Sequence, residues 1–314
     1  MITTIIGSGL IGRSWAISFA RAGHEVRLWD RAPAAAVAAL GFARSILPEL
    51  AAHELLGGQT PDEVFARLHP VEDLADALSG AGYVQESTPE TVEGKRTVFA
   101  EIDRLAPAGA VLASSTSAIL PSHFMEAVPG RARCLVCHPI NPPYLVPAVE
   151  VCPSPWTAPE TVKAAADFMR GCGQRPLLMK REIDGYIMNR MQGALLDEAF
   201  RLVEDGIADV EAIDIGLREG LALRWSFMGP FETIDLNAPG GVRDYAARYQ
   251  PIYAGIAASV TRRSDWTGPV MDAIETQRAE RLDRDQLVER QLWRDRRLMA
   301  LLAHKRAAAR DLGE

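Results

Sequence analysis

The first half of the chain alternates short apolar, β-forming runs with stretches of helical periodicity. Residues 2–6 form such a run, and apolar side chains then recur at helical spacing as far as Gly23. Further strand-like runs lie at 26–30, 68–71, 83–86, 111–114, 134–138, 149–151 and 176–179, with helical patterns at 33–56, 91–105 and 158–171. Strands that alternate with helices predict an α/β fold with a mainly parallel, doubly wound sheet.

The pattern changes after Asp184. Residues 186–205 show helical spacing without a strand signal, and most later segments do the same. The last forty residues read as one charged amphipathic helix. We therefore predict two domains, a sheet domain over 1–183 and an all-helical domain over 184–314.

Composition fits a globular protein of two domains. The chain has 314 residues, 48% hydrophobic and 24% charged, and 34 basic against 41 acidic residues give a net charge of −7. This balance offers no attraction for nucleic acid or an anionic membrane. No apolar run approaches the roughly 20 residues of a membrane span, and the N-terminus lacks the basic flank of a signal peptide. A cytoplasmic protein is expected.

Four cysteines suggest buried thiols rather than a metal site. Cys134 and Cys137 form a C-x-x-C pair inside a predicted strand, where positions three apart point to opposite faces. Cys152 and Cys172 supply no second pair at zinc-ligand spacing. We expect no metal, and reduced cysteines in a reducing compartment.

A glycine-rich G-x-G-x-x-G segment joins the first strand to the first helix. In a Rossmann-type domain the three glycines permit the tight turn, the close approach of a pyrophosphate, and the packing of helix on strand. The helix N-terminus then offers free N–H groups to the phosphates. The expected cofactor contacts from this region are Gly7, Gly9, Leu10, Ile11, Gly12 and Asp30.

Asp30 favours NAD as the cofactor. It lies 18 residues after Gly12, at the end of the second strand, where a carboxylate accepts hydrogen bonds from the ribose hydroxyls and repels a 2′-phosphate. Arg31 beside it could accommodate that phosphate, so the strictness of NAD over NADP stays open.

Polar side chains at strand ends suggest a catalytic site. His138 ends an apolar strand, Asn141 follows three residues later and Glu150 twelve residues later. Ser117 belongs to a hydroxyl-rich segment after another strand. Ligands bind at the carboxyl ends of strands in open α/β sheets, so these side chains are candidate catalytic groups.

These residues and spacings resemble the 3-hydroxyacyl-CoA dehydrogenase superfamily. The resemblance rests on the H-x-x-N-P block at His138, the glutamate twelve residues later, the serine 21 residues earlier, and Met228-Gly229-Pro230-Phe231-Glu232. It implies NAD-dependent hydride transfer with a histidine–glutamate pair as the proton acceptor, and a dimer made by the helical domain. It implies catalytic roles for His138, Glu150, Ser117, Asn189 and Asn141, and cofactor contacts for Glu90 and Lys95.

The chain is also similar to the lambda-crystallin branch of that superfamily, which includes L-gulonate 3-dehydrogenases. The likeness covers 7–15, 138–144, 235–238 and 293–299, with small departures at 235–236 and Ala118. It implies oxidation of the 3-hydroxy group of a small hydroxy acid, L-gulonate-like or carnitine-like. Ser117, Asn189 and Arg224 would then bind the substrate.

The prediction that the substrate carries a free carboxylate rests on Arg224. The resemblance implies an arginine at this position in gulonate-type relatives, whereas acyl-CoA relatives tend to have small or aromatic residues. A guanidinium can hold a carboxylate with two parallel hydrogen bonds. The alternative is a surface arginine paired with an acid such as Glu219.

Two other functions remain open. One is an L-3-hydroxyacyl-CoA dehydrogenase, against which the small number of lysines argues weakly, since coenzyme A is polyanionic; they are Lys95, Lys163, Lys180 and Lys305. The other is a non-catalytic NAD(H)-binding structural or sensor protein, which would tolerate loss of His138 or Glu150.

Overall fold

The structure is a computed structural model that describes residues 1–257 and 262–313. The strands are β1 Ile2–Ile6, β2 Glu25–Trp29, β3 Leu68–Pro70, β4 Ala81–Glu86, β5 Val111–Ser114, β6 Cys134–Pro139, β7 Ala148–Pro153 and β8 Arg175–Leu178. Every strand predicted from the apolar runs is therefore present, with ends that differ by one or two residues.

The helices of the first half connect these strands. They are α1 Leu10–Arg21, α2 Pro33–Ala52, α3 Pro61–Phe65, α4 Leu74–Leu78, α5 Val92–Leu105, α6 Ser122–Met125 and α7 Pro159–Gly171. The helices that follow are α8 Met188–Glu204, α9 Val210–Ile215, α10 Ala222–Trp225, α11 Pro230–Leu236, α12 Gly241–Ala257, α13 Pro269–Ala279 and α14 Leu287–Leu312. A π-helical segment, Gly216–Leu221, precedes α10.

The eight strands form one sheet in the order β3-β2-β1-β4-β5-β6-β7-β8. All neighbouring pairs are parallel except β6 and β7, which are antiparallel. The chain runs outward from β1 to β3 and then crosses to β4 on the other side of β1. This crossing is the switch point at which ligands bind in doubly wound sheets. The predicted α/β fold is confirmed.

Apolar side chains cover both faces of the sheet. One buried cluster joins α1, α2 and α7 to the sheet through residues such as Trp15, Phe19 and Leu47. A second cluster includes Phe99 of α5 and Phe124 of α6. Because parallel strands are covered by helices on both faces, their sequences read as continuous apolar runs.

Helix α2 is long and apolar enough, by length and composition, to cross a membrane. The sequence predicted a helix over 33–56 but no membrane span there, since no single uninterrupted apolar run covers it. Its buried residues belong to the core cluster beside the sheet: Ala36, Ala39, Ala43, Ile46, Leu47 and Leu50. Core helices pass the same test, so this helix is weak evidence for a membrane span.

The chain separates into two compact units. One contains Met1–Ile187 and Leu292–Glu314, and the other contains Met188–Gln291. The C-terminal segment thus packs with the sheet, where Met299 is buried in the core and the Tyr144 hydroxyl donates to Asp295 at 2.5 Å. The predicted single boundary at 183/184 therefore assigns residues 292–314 to the wrong unit. Charge and periodicity predict a helix there but do not show which hydrophobic core the helix joins.

The prediction of one helix over the last forty residues is wrong. Helix α13 ends at Ala279, a 3-10 turn covers Arg284–Gln286, and α14 begins at Leu287. Charged residues continue through the break, so the composition gave no sign of it.

The four cysteines are free and buried, as expected. Burial raises the pKa of the Cys137 thiol to about 12, so the thiol stays protonated at neutral pH. Among residues 1–257 and 262–313, no three His, Cys, Asp or Glu side chains form a group that could hold a metal ion.

Candidate active site

The glycine segment between β1 and α1 has the geometry that a dinucleotide requires. Gly7 has φ +92°, and a Cβ there would lie 2.7 Å from the Ser87 carbonyl oxygen. A Cβ on Gly12 would lie 1.9 Å from the Gly7 oxygen, so this glycine allows helix and loop to touch. A Cβ on Gly9 would meet nothing within 4 Å, which leaves space for a ligand beside the backbone.

The N-terminus of α1 is open to an anion. Gly9 is its N-cap, without a side-chain cap hydrogen bond, and the first turn has no acidic residue. The first N–H groups of a helix lack helical acceptors and carry partial positive charge. Leu10 and Ile11 lie in this first turn. The residues present therefore fit a cofactor pyrophosphate.

Asp30 directly follows β2 and is tied to the glycine segment. Its Oδ2 accepts a hydrogen bond from the Ser8 N–H at 2.7 Å, and its Oδ1 accepts one from the Ala32 N–H at 3.0 Å. Both bonds fix the carboxylate beside the loop that would hold the pyrophosphate. This is the location at which an acidic residue contacts the adenine ribose in Rossmann-type domains.

His138 and Glu150 form a buried pair. The imidazole Nδ1 lies 2.6 Å from Glu150 Oε2, and the two residues are directly opposite each other in the antiparallel β6–β7 ladder. The glutamate is fully buried and the histidine is 5% exposed. The antiparallel register explains their spacing, because the chain must leave β6, turn and return along β7.

The carboxylate also fixes the histidine tautomer. Glu150 Oε1 accepts a hydrogen bond from the Ile187 N–H at 2.6 Å. An ionised carboxylate only accepts hydrogen bonds, so Nδ1 of His138 carries the proton in this pair. Nε2 is then the nitrogen with the lone pair, and it can take a proton from a ligand.

Tyr186 is a site residue that the sequence reasoning missed. It is fully buried, its ring centroid lies 5.6 Å from that of His138, and its hydroxyl donates to the Ile119 carbonyl at 2.6 Å. Its φ of +50° is rare outside glycine. Burial raises the pKa of Tyr186 well above its ordinary value, so the hydroxyl stays a neutral donor. The one signal in the sequence was the preceding Gly185, which is typical of a turn with positive φ.

Glu90 holds the backbone around Ser117. Its Oε1 accepts hydrogen bonds from the Ser117 N–H at 3.0 Å, from the Ala118 N–H at 3.1 Å, and from the Thr116 hydroxyl. Burial opposes ionisation of Glu90, but the Thr116 hydroxyl, the Lys95 charge and the two N–H groups together lower its pKa. The carboxylate is therefore ionised at neutral pH.

Lys95 lies beneath this loop and is almost completely buried, at 1% exposure. Its ammonium donates to both oxygens of Glu86 at 3.1 Å and lies 3.5 Å from Glu90 Oε2. Glu86 was also missed by the sequence reasoning. It is the last residue of β4 and gave no signal in the sequence, since only its burial beside Lys95 distinguishes it.

Asn141 lies just beyond β6, and a cis peptide bond joins it to Pro142. Its Oδ1 is buried and has no hydrogen-bond partner among the residues that the structure describes. A buried acceptor without a donor costs free energy unless a ligand or water supplies one. Asn141 is thus suited to receive a hydrogen bond from a bound molecule.

Asn189 and Arg224 lie in the helical unit. Asn189 is in the first turn of α8 and Arg224 lies in α10. Glu219 accepts from Arg218 Nε at 2.5 Å, and no hydrogen bond joins it to Arg224. Within the described part of the chain, Arg224 Nε is buried without an acceptor. This supports the interpretation that Arg224 is reserved for a ligand.

In the sheet unit, the predicted residues collect along one edge. Strands β1, β4, β5 and β6 are adjacent and parallel, so the glycine segment, Glu90, Ser117 and His138 all follow or end neighbouring strands at their carboxyl ends. The arrangement places a cofactor cradle, a polar loop and an acid–base pair on the same side of one sheet.

Comparisons with known proteins identify the family. Residues 2–183 match the 3-hydroxyacyl-CoA dehydrogenase NAD binding domain, and residues 185–266 match the C-terminal domain of the same family. The bovine (Bos taurus) lambda-crystallin homolog is 39% identical over 300 residues, which cover 95% of this chain and 93% of that protein. L-carnitine dehydrogenase from Pseudomonas sp is 35% identical over 298 residues, covering 95% and 91% of the two chains.

A solved structure has the same architecture over nearly the whole chain. It is the NAD+-dependent 5-formyl-3-hydroxy-2-methylpyridine 4-carboxylic acid 5-dehydrogenase, with a TM-score of 0.82, 28% identity and coverage of 96% of both chains. Together with the matched domains and the glycine cradle, it shows that the cofactor is NAD. The chain belongs to the 3-hydroxyacyl-CoA dehydrogenase family of NAD-dependent dehydrogenases.

Proposed function

We propose that this protein oxidises the 3-hydroxy group of a small free hydroxy acid. The observation that carries the proposal is the buried His138–Glu150 pair at the carboxyl edge of the NAD-binding sheet. Alcohol oxidation must remove a hydroxyl proton as a hydride leaves the adjacent carbon, and a neutral imidazole is suited to that task near neutral pH.

In this mechanism the substrate hydroxyl proton passes to Nε2 of His138. Glu150 keeps the proton on Nδ1 and stabilises the imidazolium that forms. The hydride leaves the substrate carbon in the same step, and bound NAD supplies its acceptor. The products are a 3-oxo acid and an imidazolium, which returns its proton to solvent.

Three polar residues would orient the substrate, two of them at the reacting oxygen. Ser117 and Asn189 donate hydrogen bonds to the reacting oxygen, as the substrate hydroxyl or as the carbonyl of the reverse reaction, whereas the unpaired Oδ1 of Asn141 accepts from another donor group of the bound molecule. Donors directed at a developing carbonyl lower the barrier because they strengthen as charge builds on the oxygen.

The cofactor would be held by the glycine segment and Asp30. Gly7, Gly9 and Gly12 shape the cradle, and the backbone N–H groups at Leu10 and Ile11 face the phosphates. Glu90 and Lys95 stay predicted cofactor contacts from the family resemblance.

Replacing Asp30 by alanine should weaken NAD binding and reduce the preference for NAD over NADP. The variant loses the ribose acceptor, the charge that repels a 2′-phosphate, and the bond to the Ser8 N–H. We expect NAD Kd to rise on the order of tenfold, the value of one charged hydrogen bond. Titration of NADH and NADPH fluorescence measures both constants. Asp62→Ala is the control, since Asp62 is a surface residue of α3; an unchanged NAD/NADP ratio for Asp30→Ala would remove Asp30 from ribose recognition.

Arg224 would bind the substrate carboxylate. A free hydroxy acid presents a carboxylate near its reacting carbon, whereas an acyl-CoA thioester does not, and a guanidinium can orient that group with parallel hydrogen bonds. The unpaired, buried Nε of Arg224 supports this role. One relative, L-carnitine dehydrogenase, is named for a small hydroxy acid.

Arg224→Met should raise KM for the hydroxy acid about 10- to 100-fold, the equivalent of one lost charged hydrogen bond of about 1.5–3 kcal/mol. NAD affinity should stay unchanged, and Arg224→Lys should recover only part of the loss. Arg218→Met is the matched control, because this exposed arginine of the same unit pairs with Glu219. Initial rates against substrate concentration give KM. An unchanged KM for every acid would contradict the carboxylate role.

The family name supports a second candidate, an L-3-hydroxyacyl-CoA dehydrogenase. Initial rates with NAD and L-gulonate, L-carnitine, 3-hydroxybutyrate and 3-hydroxybutyryl-CoA decide between the two. We expect the largest kcat/KM with a free acid. A preference for the thioester by tenfold or more would replace the proposal with this candidate, and NADH binding without turnover would favour a sensor.

We further propose that the helical unit forms a homodimer. Its apolar side chains on α8, α11 and α12 are exposed in the single chain, among them Met191, Leu195, Phe231, Ile252 and Tyr253. Such side chains gain free energy when a second surface covers them. In the sequence, Met191 and Leu195 recur at helical spacing with Ile187, Ala194 and Leu202, an apolar stripe that a second copy of the helical unit could cover.

A further inference from the structure

A buried ion cluster lies under the loop that carries Ser117. Lys95 is 1% exposed and Glu86 is fully buried, and the ammonium donates to both oxygens of Glu86. The same ammonium lies 3.5 Å from Oε2 of Glu90, whose side chain is 39% exposed. The positive charge of Lys95 is therefore paired with two carboxylates in the interior of the protein.

Glu90 connects Lys95 to the loop that carries Ser117. Its Oε2 faces the Lys95 ammonium, and its Oε1 accepts three hydrogen bonds, from the Thr116 hydroxyl and from the N–H groups of Ser117 and Ala118. Three donors directed at a single carboxylate oxygen stabilise its charged form. The backbone position of Ser117 thus depends on an ionised Glu90.

We propose that Lys95 and Glu90 are positioning residues for Ser117, and that Lys95 acts on the loop of Ser117 through Glu90. The inference rests on the proposed function, in which Ser117 contacts the reacting oxygen. This role is additional to the cofactor contact that the family resemblance implies for Lys95, because the ammonium also holds Glu86 and Glu90.

The charges around Glu90 give the direction of the expected pH effect. Its charged neighbours are Lys95 on α5 and, across the same ammonium, Glu86 on β4, and its charge also acts on the neutral Tyr186 hydroxyl. The Lys95 charge lowers the pKa of Glu90, so without Lys95, and with the Glu86 carboxylate still nearby, Glu90 would hold a proton to a higher pH. A protonated Glu90 accepts weaker hydrogen bonds from the N–H groups of Ser117 and Ala118. The activity of a variant without Lys95 should therefore fall as the pH is lowered.

The first experiment compares Lys95→Met with the double variant Glu86→Gln/Lys95→Met. The double variant restores the single net negative charge of the wild-type cluster. The ratio of variant to wild-type kcat should rise roughly tenfold from pH 6 to pH 9 for Lys95→Met and stay level for the double variant. NAD Kd is measured for both variants, and a change common to both would report the predicted cofactor contact of Lys95 separately from the pH effect. A raised NAD Kd with a level ratio in both variants would assign Lys95 to the cofactor and overturn the proposal.

Glu90→Gln tests the second step, including the case in which Lys95→Met fails to fold. Its amide oxygen can accept but lacks charge, so kcat should fall on the order of tenfold. In a cycle with Ser117→Ala, the two losses should not add, because both act through one hydroxyl. Additive losses would contradict the proposal.

Amide hydrogen exchange separates this inference from the proposed function, since it needs no substrate. Exchange at Ser117 and Ala118 should be about tenfold faster in Glu90→Gln than in wild type, measured at one pH on peptides covering 114–120. Unchanged exchange would overturn the positioning role. Faster exchange in a protein that oxidises none of the hydroxy acids would leave the positioning role standing and refute only the proposed function.

Discussion

Replacing His138 by asparagine should lower kcat/KM by about 10²- to 10⁴-fold while NAD still binds, because removal of a general base costs that much. Asparagine keeps a polar side chain of similar size next to Glu150 but cannot accept a proton at neutral pH. The cofactor cradle is built by Gly7, Gly9 and Gly12, so NAD Kd should stay within about twofold of wild type. Stopped-flow reduction of NAD and fluorescence titration measure the two quantities.

His123→Asn is the matched control for this experiment. His123 is an exposed residue of α6 in the same unit, and the same substitution there should leave turnover unchanged. A His138→Asn variant that turns over within about threefold of wild type would remove this histidine from the mechanism. The remaining rate would then have to come from the hydrogen-bonding residues alone.

The sequence predicted the sheet well because its signals are local. The apolar runs identify β1 to β8 with ends that differ by one or two residues, and the central parallel strands give the clearest runs because helices cover both of their faces. The glycine segment identifies its own turn, since Gly7 and Gly12 are required by the adjacent backbone. Local patterns of this kind do not depend on distant parts of the chain.

Features that depend on distant contacts were not predictable. Glu86 reads as an ordinary charged residue at a strand end, and only the folded chain places Lys95 against it. Tyr186 looks like one aromatic residue among several, although it packs beside His138. Likewise, the charged residues of α14 do not reveal that Met299 joins the core of the sheet unit.

The His138–Glu150 pair was predicted, but not from a local pattern in the sequence. A gap of twelve residues is not a helical or strand period, so the sequence alone gives no geometric reason for the pair, and the resemblance supplied it. The antiparallel ladder supplies the reason, because it sets His138 directly opposite Glu150. The predicted His138–Glu150 pair is therefore a cross-strand hydrogen bond between β6 and β7.

Glu150→Gln should reduce kcat/KM by about 10²- to 10⁴-fold, although the side chain keeps its shape, because the amide forces the wrong histidine tautomer. The Ile187 N–H requires an acceptor at one end of residue 150, so the amide oxygen must face it. The amide NH₂ then faces His138 Nδ1, which must accept. The imidazole proton moves to Nε2, and that nitrogen can no longer take a proton from the substrate.

Imidazole nitrogen NMR shifts show the tautomer directly. In wild type the proton should lie on Nδ1 of His138, and in Glu150→Gln it should lie on Nε2. Glu182→Gln is the control, because Glu182 also accepts from a backbone N–H, that of Ser122, and should leave both tautomer and rate unchanged. Loss of activity with the wild-type tautomer retained would assign Glu150 to electrostatic stabilisation alone. Full activity in Glu150→Gln would mean that His138 needs no carboxylate, and the pair would then be a structural contact across β6 and β7.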